Sequence, residues 1–177
     1  RAQGAGGSAV EGGAAVKVGS LFSGIGGLDL GLERAGMEIR WQVENDDFCR
    51  RVLAKHWPNV PCYGDIREVR GADLEPVDLI CGGFPCQPTS HAGRRRGEDD
   101  DRWLWPEMLR LIRETRPAYV VGENVFGLVT HNEGLLLASV VADLEAEGYE
   151  VAAPVVFPAC AVGAVHRRDR VWVVAHS

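Results

Sequence analysis

From Val16 onward, short runs rich in β-branched and other apolar residues alternate with amphipathic stretches of helical period, an alternation that leaves few folds open. Strand candidates fall at 16–22, 39–43, 59–63, 77–81, 118–122, 149–157 and 170–175, and helix candidates at 26–36, 46–57, 103–115 and 131–147. Strands joined through helices run parallel, because the crossover returns the chain to the edge it left. The helix ends carry their usual signals: Asn45 before the second, Pro106 early in the third with Pro117 after it, and Gly148 after the fourth. Leu136, Val140 and Leu144 recur every four residues and form the stripe expected to face a sheet. No helix separates the last two strands, so the final one is expected to be antiparallel. The fold predicted is α/β, a mostly parallel seven-stranded sheet with its last strand reversed.

Composition narrows the setting. The 177 residues are about one domain's length, and 22 Gly with 9 Pro are too many for a helical bundle. Residues 1–15 are Gly- and Ala-rich and short of large apolar groups, which predicts a flexible leader before one domain over 16–177. No apolar run reaches the roughly 18 residues that cross a bilayer, and the N-terminus lacks the order of a signal peptide, so a cytoplasmic protein with no membrane partner is expected. Five cysteines, odd in number and without a CxxC pair, suggest neither a disulfide framework nor a metal site. A net charge of −6 argues against a nonspecific nucleic-acid coat but leaves room for a local basic face.

The candidate chemistry gathers at strand ends. The first strand runs into Phe22-Ser23-Gly24-Ile25-Gly26-Gly27, a turn that lets backbone approach a ligand at a helix N-terminus. Such turns also occur empty, and this one gains force from Glu44 at the end of the second strand and Asp65 after the third. A carboxylate after the second strand is where a nucleoside ribose is commonly held, so the series points to an adenosine-type ligand. After the fourth strand, Gly82-Gly83-Phe84-Pro85-Cys86-Gln87-Pro88-Thr89-Ser90 fixes an irregular loop around one thiol, which makes Cys86 a nucleophile candidate. Cys81 and Cys160, in strand-like surroundings, read as buried and inert, and Cys49 and Cys62 as structural. Glu123 closes a nearly apolar fifth strand, where desolvation raises a carboxyl's pKa; a simple helix cap is the plainer alternative. In His166-Arg167-Arg168-Asp169-Arg170, alternation in an extended segment would put Arg168 and Arg170 on one face, to meet phosphate or a carbonyl oxygen or merely to form a salt-bridged edge.

Taken in order, FSGIGG, GGFPCQPTS, ENV and HRRDRV resemble the DNA cytosine-5 methyltransferase family over residues 18 to 176. The resemblance implies the Rossmann-like fold of S-adenosylmethionine-dependent methyltransferases. By it, Phe22 packs on the adenine, Ser23, Gly24, Gly26, Gly27 and Leu28 hold the methionine end, Glu44 takes the ribose hydroxyls, and Asp65 with Ile66 takes the adenine edge. Pro85 lies between cofactor and base. Cys86 attacks cytosine C6, Glu123 contacts N3 and the exocyclic amine, Arg168 and Arg170 contact the base carbonyl and nearby backbone, and Phe84, Gln87, Ser90 and Asn124 complete the substrate side, Asn124 by holding the loop. The cofactor implied is S-adenosylmethionine, with S-adenosylhomocysteine as product and no metal, and the substrate is double-stranded DNA. Residues 91–102, with Arg94, Arg95 and Arg96, would close over the flipped base.

Departures accompany the matches. His166 stands where the family usually has Gln, Val165 where Pro is common, and Thr89 where Phe is common. Family members continue into a target-recognition region, so the chain resembles the catalytic core of a longer enzyme of bacterial or phage type, with a separate recognition-bearing chain as a conceivable partner and little methylation expected of the core alone. The competing readings are a non-catalytic cofactor- or DNA-binding relative acting as partner or decoy, and an RNA cytosine methyltransferase of the same chemistry.

Overall fold

A computed structural model describes residues 14–85 and 103–177. Its elements in chain order are β1 (Lys17–Leu21), α1 (Gly27–Arg34), β2 (Glu38–Val43), α2 (Asp47–His56), β3 (Cys62–Tyr63), β4 (Leu79–Gly82), α3 (Trp105–Thr115), β5 (Tyr119–Val125), α4 (Gly127–Thr130), α5 (Leu135–Ala146), β6 (Glu150–Val151), β7 (Val155–Pro158) and β8 (Asp169–His176). The sheet runs β3-β2-β1-β4-β5-β8-β6, with β7 also paired to β8. Pairing is parallel from β3 through β5 and antiparallel wherever β8 takes part. The expected mostly parallel sheet with a reversed last strand is therefore the fold observed.

Two apolar layers sandwich this sheet. On one face Val18, Ile39, Leu79 and Cys81 pack beneath Leu28 and Leu32 of α1. On the other, Leu21, Trp41, Ile80 and Val120 meet Met108, Leu111 and Ile112 of α3 and the Leu136, Val140 and Leu144 stripe of α5. Thus α1, leaving β1, and α3, reached after β4, cover opposite faces although β1 and β4 are neighbours. The chain diverges at this pair of strands, and the crevice outside their carboxyl ends is where open α/β sheets bind ligands.

Several expected boundaries shift, each for a local reason. The strand predicted over 149–157 divides into β6 and β7, since Pro154 has no N–H to give a ladder. The 59–63 strand shortens to Cys62–Tyr63. The 131–147 helix begins only at Leu135, after Gly134 turns at φ 86. The second helix is capped by Asp46 and not Asn45: the Asp46 carboxylate accepts from Cys49 N at 2.8 Å. Pro106 does sit in the first turn of α3, and Gly148 follows α5 with φ 86. The predicted leader falls almost wholly outside the described residues.

A bulge between Val18 and Gly19 lets Trp41 pair with Gly19, and the fully buried indole lies flat across the space a side chain would need. A Cβ on Gly19 would stand 2.0 Å from that ring. Gly19→Ala is expected to lower stability by about 1–3 kcal/mol through overpacking, read as a lower urea midpoint with an unchanged denaturant slope. An unaltered midpoint would mean that the ring yields freely.

Candidate active site

The turn after β1 is strained in a way only a supported loop sustains. Phe22, which carries a side chain, has φ 53, and Gly24 and Gly26 have φ 55 and 85. A Cβ at Gly26 would strike the Trp57 ring at 2.3 Å, so glycine is required there on steric as well as conformational grounds. Among the described residues nothing lies within 4 Å of the corresponding position on Gly24, which leaves space beside its backbone. Ser23 N donates to Val43 O at 3.2 Å and Gly26 N to Ser23 O at 2.9 Å, tying the turn to the end of β2.

Glu44, the first residue past β2, is built into this turn. Its carboxylate accepts from Gly24 N and from Asp46 N, each at 2.7 Å. Two backbone donors fix the group while its remaining lone pairs stay free to accept hydroxyls. Glu44 lines a cleft of about 370 Å³ together with Phe22, Val43, Asn45, Gly64, Asp65, Ile66, Arg67, Gly83, Pro85 and Leu104. Five predicted cofactor residues, Phe22, Glu44, Asp65, Ile66 and Pro85, therefore meet in one space. Arg67 pairs with Asp65, its Nε 2.9 Å from Oδ1, and holds that carboxyl below its ordinary value. Gly26 and Gly27 line a neighbouring depression with Ile25, Leu30, Glu33, His56 and Trp57. Leu28 packs in the core beneath α1, and Ser23 is buried under the turn.

At the next pair of strand ends a second group forms. Arg170 Nε lies 2.7 Å from Glu123 Oε1, with both side chains about one-fifth to one-quarter exposed (20% and 24%). Burial pushes the Glu123 carboxyl above its ordinary value of 4.5, against the opposing pull of Arg170 and, more weakly, Arg168. Arg168 itself has φ 41 and precedes β8, so the extended segment predicted to carry both arginines does not reach Arg168, although its charge acts on the same carboxyl. Asn124 is buried and donates from Nδ2 to Phe84 O at 2.9 Å while its Oδ1 accepts from Val125 N at 2.8 Å. The Phe84 ring points into the core against Trp103 and Trp105, with centroids 5.7 and 5.1 Å away. A Cβ at Gly83 would stand 3.1 Å from Glu123 Oε2, so this carboxyl sits against the segment that leads to Cys86. Cys86, Gln87, Ser90 and the 91–102 stretch lie outside the described residues.

Among the described cysteines, Cys81 is buried, and its thiol is pushed up to about 12 by desolvation. Burial also raises Cys49 and Cys62. Cys160 departs from expectation: it is exposed in a short 3-10 turn over Ala159–Val162 rather than buried in a strand. No group of three or more potential metal ligands occurs among the described residues, and no described helix is long and apolar enough to cross a membrane. Sequence reasoning missed Val43, Asn45, Gly64, Arg67, Gly83 and Leu104 as cleft walls, although all but Leu104 adjoin residues it did name. It also missed Asp29, a wholly buried carboxyl under the glycine turn.

Over residues 16–177 the chain matches the family described as C-5 cytosine-specific DNA methylase. It is 35% identical over 156 residues to the type II methyltransferase M.HgiCII of Herpetosiphon aurantiacus, covering 87% of this chain and 36% of that protein. To the type II methyltransferase M.AquIA of a Picosynechococcus species it is 36% identical over 174 residues, 89% of this chain and 70% of that one. Among solved structures, an E. coli prophage-encoded protein assigned as a DNA modification methyltransferase is 28% identical, with a TM-score of 0.78 over 92% of this chain and 47% of its own. The chain spans well under half the length of several curated relatives it matches, 36%, 38% and 42% in three cases.

The Glu123 geometry has a pH signature. Because its folded-state pKa is raised, this carboxyl takes up protons on folding; its contribution to stability is full below the unfolded value and is lost as pH rises through the folded one. Carbon-13 titration should place the Glu123 midpoint above 4.5, and Arg170→Gln, which removes the nearest countercharge, should move it higher. A midpoint that falls on losing Arg170 would contradict the pairing.

Proposed function

The chain belongs to the C-5 cytosine-specific DNA methylase family, and from that membership we propose that it is the catalytic domain of a DNA cytosine-5 methyltransferase acting in the cytoplasm. The reaction is transfer of a methyl group to C5 of a cytosine flipped out of double-stranded DNA. The observation that carries the reading is a half-buried carboxyl, Glu123, whose burial pushes it above its ordinary value, paired with Arg170 and set against the Gly83 backbone three residues before Cys86.

Support for an adenosine-type ligand comes from the cleft's fixed carboxylate at Glu44, held by Gly24 N, and its apolar walls from Phe22, Ile66 and Leu104. Phe22 would stack on the adenine, Glu44 accept from the ribose hydroxyls, Asp65 and Ile66 meet the adenine edge, and the turn from Ser23 to Gly27 receive the methionine end. When bound, S-adenosylmethionine supplies a methyl group made electrophilic by its sulfonium.

The base chemistry falls to this chain's residues. Cytosine C5 is a poor nucleophile until a thiolate adds at C6, so the Cys86 sulfur forms a bond to C6 while Glu123 donates a hydrogen bond or proton at N3. The displaced electron pair reaches C5, which takes the methyl group. Loss of the C5 proton to a base then restores the C5–C6 double bond and expels the Cys86 thiolate. Arg170 keeps Glu123 oriented, and Arg168 with Arg170 would meet the base carbonyl and nearby backbone. The target atom is inaccessible within a stacked duplex, hence the flip. Several matched relatives are far longer than the stretch they share with this chain, so target recognition is proposed for a region outside that stretch, carried on the same protein or on a second polypeptide.

With methyl-labelled S-adenosylmethionine and cytosine-containing duplex, in the presence of such a polypeptide, the wild-type chain is expected to transfer label to C5. Cys86→Ser should abolish transfer while S-adenosylhomocysteine affinity stays nearly unchanged, since the thiol serves the base. Binding without transfer by the wild-type chain would favour a non-catalytic relative, and comparable turnover by the variant would sink the covalent route.

A further inference from the structure

Beneath the glycine turn lies a polar cluster for which the reaction has no direct use. Asp29, the third residue of α1, is wholly buried, as are Ser20 of β1 and Gln42 of β2. Ser20 Oγ donates to Asp29 Oδ1 at 2.5 Å and Gln42 Nε2 donates to Oδ2 at 2.6 Å. Register explains the meeting: Ser20 stands level with Gln42 on one side and Cys81 on the other, so three central strands offer their side chains to α1 at one height. Burial pushes the Asp29 carboxyl above its ordinary value, while its two neutral donors and its place in the first helical turn oppose that shift or favour the charge. Gln42 Oε1 remains buried without a hydrogen-bond partner among the described residues.

This cluster closes a loop. Ser20 and Asp29 flank the turn, one on the strand that enters it and the other on the helix that leaves it, and a single hydrogen bond joins them. Ser23, inside the turn, hangs from the same bond: its Oγ lies 2.9 Å from Ser20 Oγ and 3.1 Å from Ser20 O. A hydroxyl has one proton, so Ser20, having given its own to the carboxylate, is left as an acceptor oriented toward Ser23. Gly24, directly after Ser23, has φ 55, an angle glycine adopts without strain, so the bonds that hold Ser23 fix which way this backbone faces. Glu44 fixes the outer side of the turn through Gly24 N, and the Ser20–Asp29 bond fixes its base.

We propose that Asp29 is a positioning residue which, through Ser20 and Ser23, holds the glycine turn in the conformation that receives the methionine end of the cofactor, and that Gln42 orients its carboxylate. The inference rests on the cofactor reading above. It separates the two ends of the ligand, because the adenosine end meets Phe22, Glu44, Asp65 and Ile66, whereas the methionine end meets the turn. Loss of the Asp29 link should therefore weaken binding of the whole molecule and spare adenosine.

The test is calorimetric titration of the full chain with S-adenosylhomocysteine and, separately, with adenosine. Ser20→Ala, a small change that leaves Asp29 in place, should weaken S-adenosylhomocysteine about five- to tenfold, as the loss of roughly one hydrogen bond would, with adenosine affinity changed less than about twofold. Asp29→Ala should behave alike or more severely, and thermal unfolding reports whether it remains folded. In Asp29→Asn a flipped Gln42 amide can offer Oε1 to the new amide, so this variant should recover part of the loss. Equal S-adenosylhomocysteine affinity in Ser20→Ala, or a parallel fall for both ligands, would overturn the positioning role. Failure of the wild-type chain to bind S-adenosylhomocysteine would instead overturn the cofactor reading, and the inference with it.

Discussion

The adjacent, parallel pairing of β1 with β4, with the chain leaving them toward opposite faces, fixes where everything else stands. Val18 to Leu21 run level with Leu79 to Gly82, so the turn from Phe22 and the loop from Gly83 emerge side by side and then diverge. The space they leave is bounded by Glu44 from β2 and Asp65 after β3 on one flank. On the other, β5 pairs with β4 and brings Glu123 beside Gly83, and antiparallel β8 brings Arg170 beside Glu123. The cleft lined by Glu44 and the half-buried Glu123 carboxyl become neighbours through strand order alone.

Precision at this edge costs strain, and the strain is offset by polar contacts from below and beside. Phe22 occupies a backbone region that side chains avoid, and the neighbouring glycines turn through similar angles. Ser23 N on Val43 O, Gly24 N on Glu44, and Ser23 Oγ on Ser20 leave that turn little freedom. Glu44 thus supports the turn, and the ligand contact proposed for it would use the lone pairs this support leaves over. On the far side Asn124 performs the matching support by donating to the Phe84 carbonyl, which ties Phe84 to the end of β5.

How much of this was legible in the sequence depended on whether a feature is local. Glu44, Asp65 and Glu123 were readable because each ends a run whose apolar pattern marks a strand, and parallel strands in one sheet end at one edge. The α5 stripe was readable for the same reason. The Ser20, Asp29 and Gln42 cluster was not, since three polar residues dispersed over two strands and a helix become neighbours only through register, and the bulge at Gly19 sets that register. Cys160 misled because an apolar neighbourhood in sequence became an exposed turn, and Arg168 because a left-handed residue interrupted the assumed extension. Phe84 sits in a motif rich in chemistry, yet its ring joins Trp103 and Trp105 in the core, a contact that no spacing reveals.

Trapping bears most directly on the chemistry assigned to Cys86. In duplex DNA carrying 5-fluorocytosine, C5 cannot shed its fluorine as a proton is shed, so a methylated base should stay bonded to the thiol that attacked C6. With S-adenosylmethionine and a recognition-bearing polypeptide present, a denaturation-resistant adduct is expected, and peptide mass spectrometry should locate it at Cys86. An adduct at Cys49, Cys62, Cys81 or Cys160, or methyl transfer to unmodified cytosine with no adduct formed on the fluorinated base, would contradict the covalent mechanism.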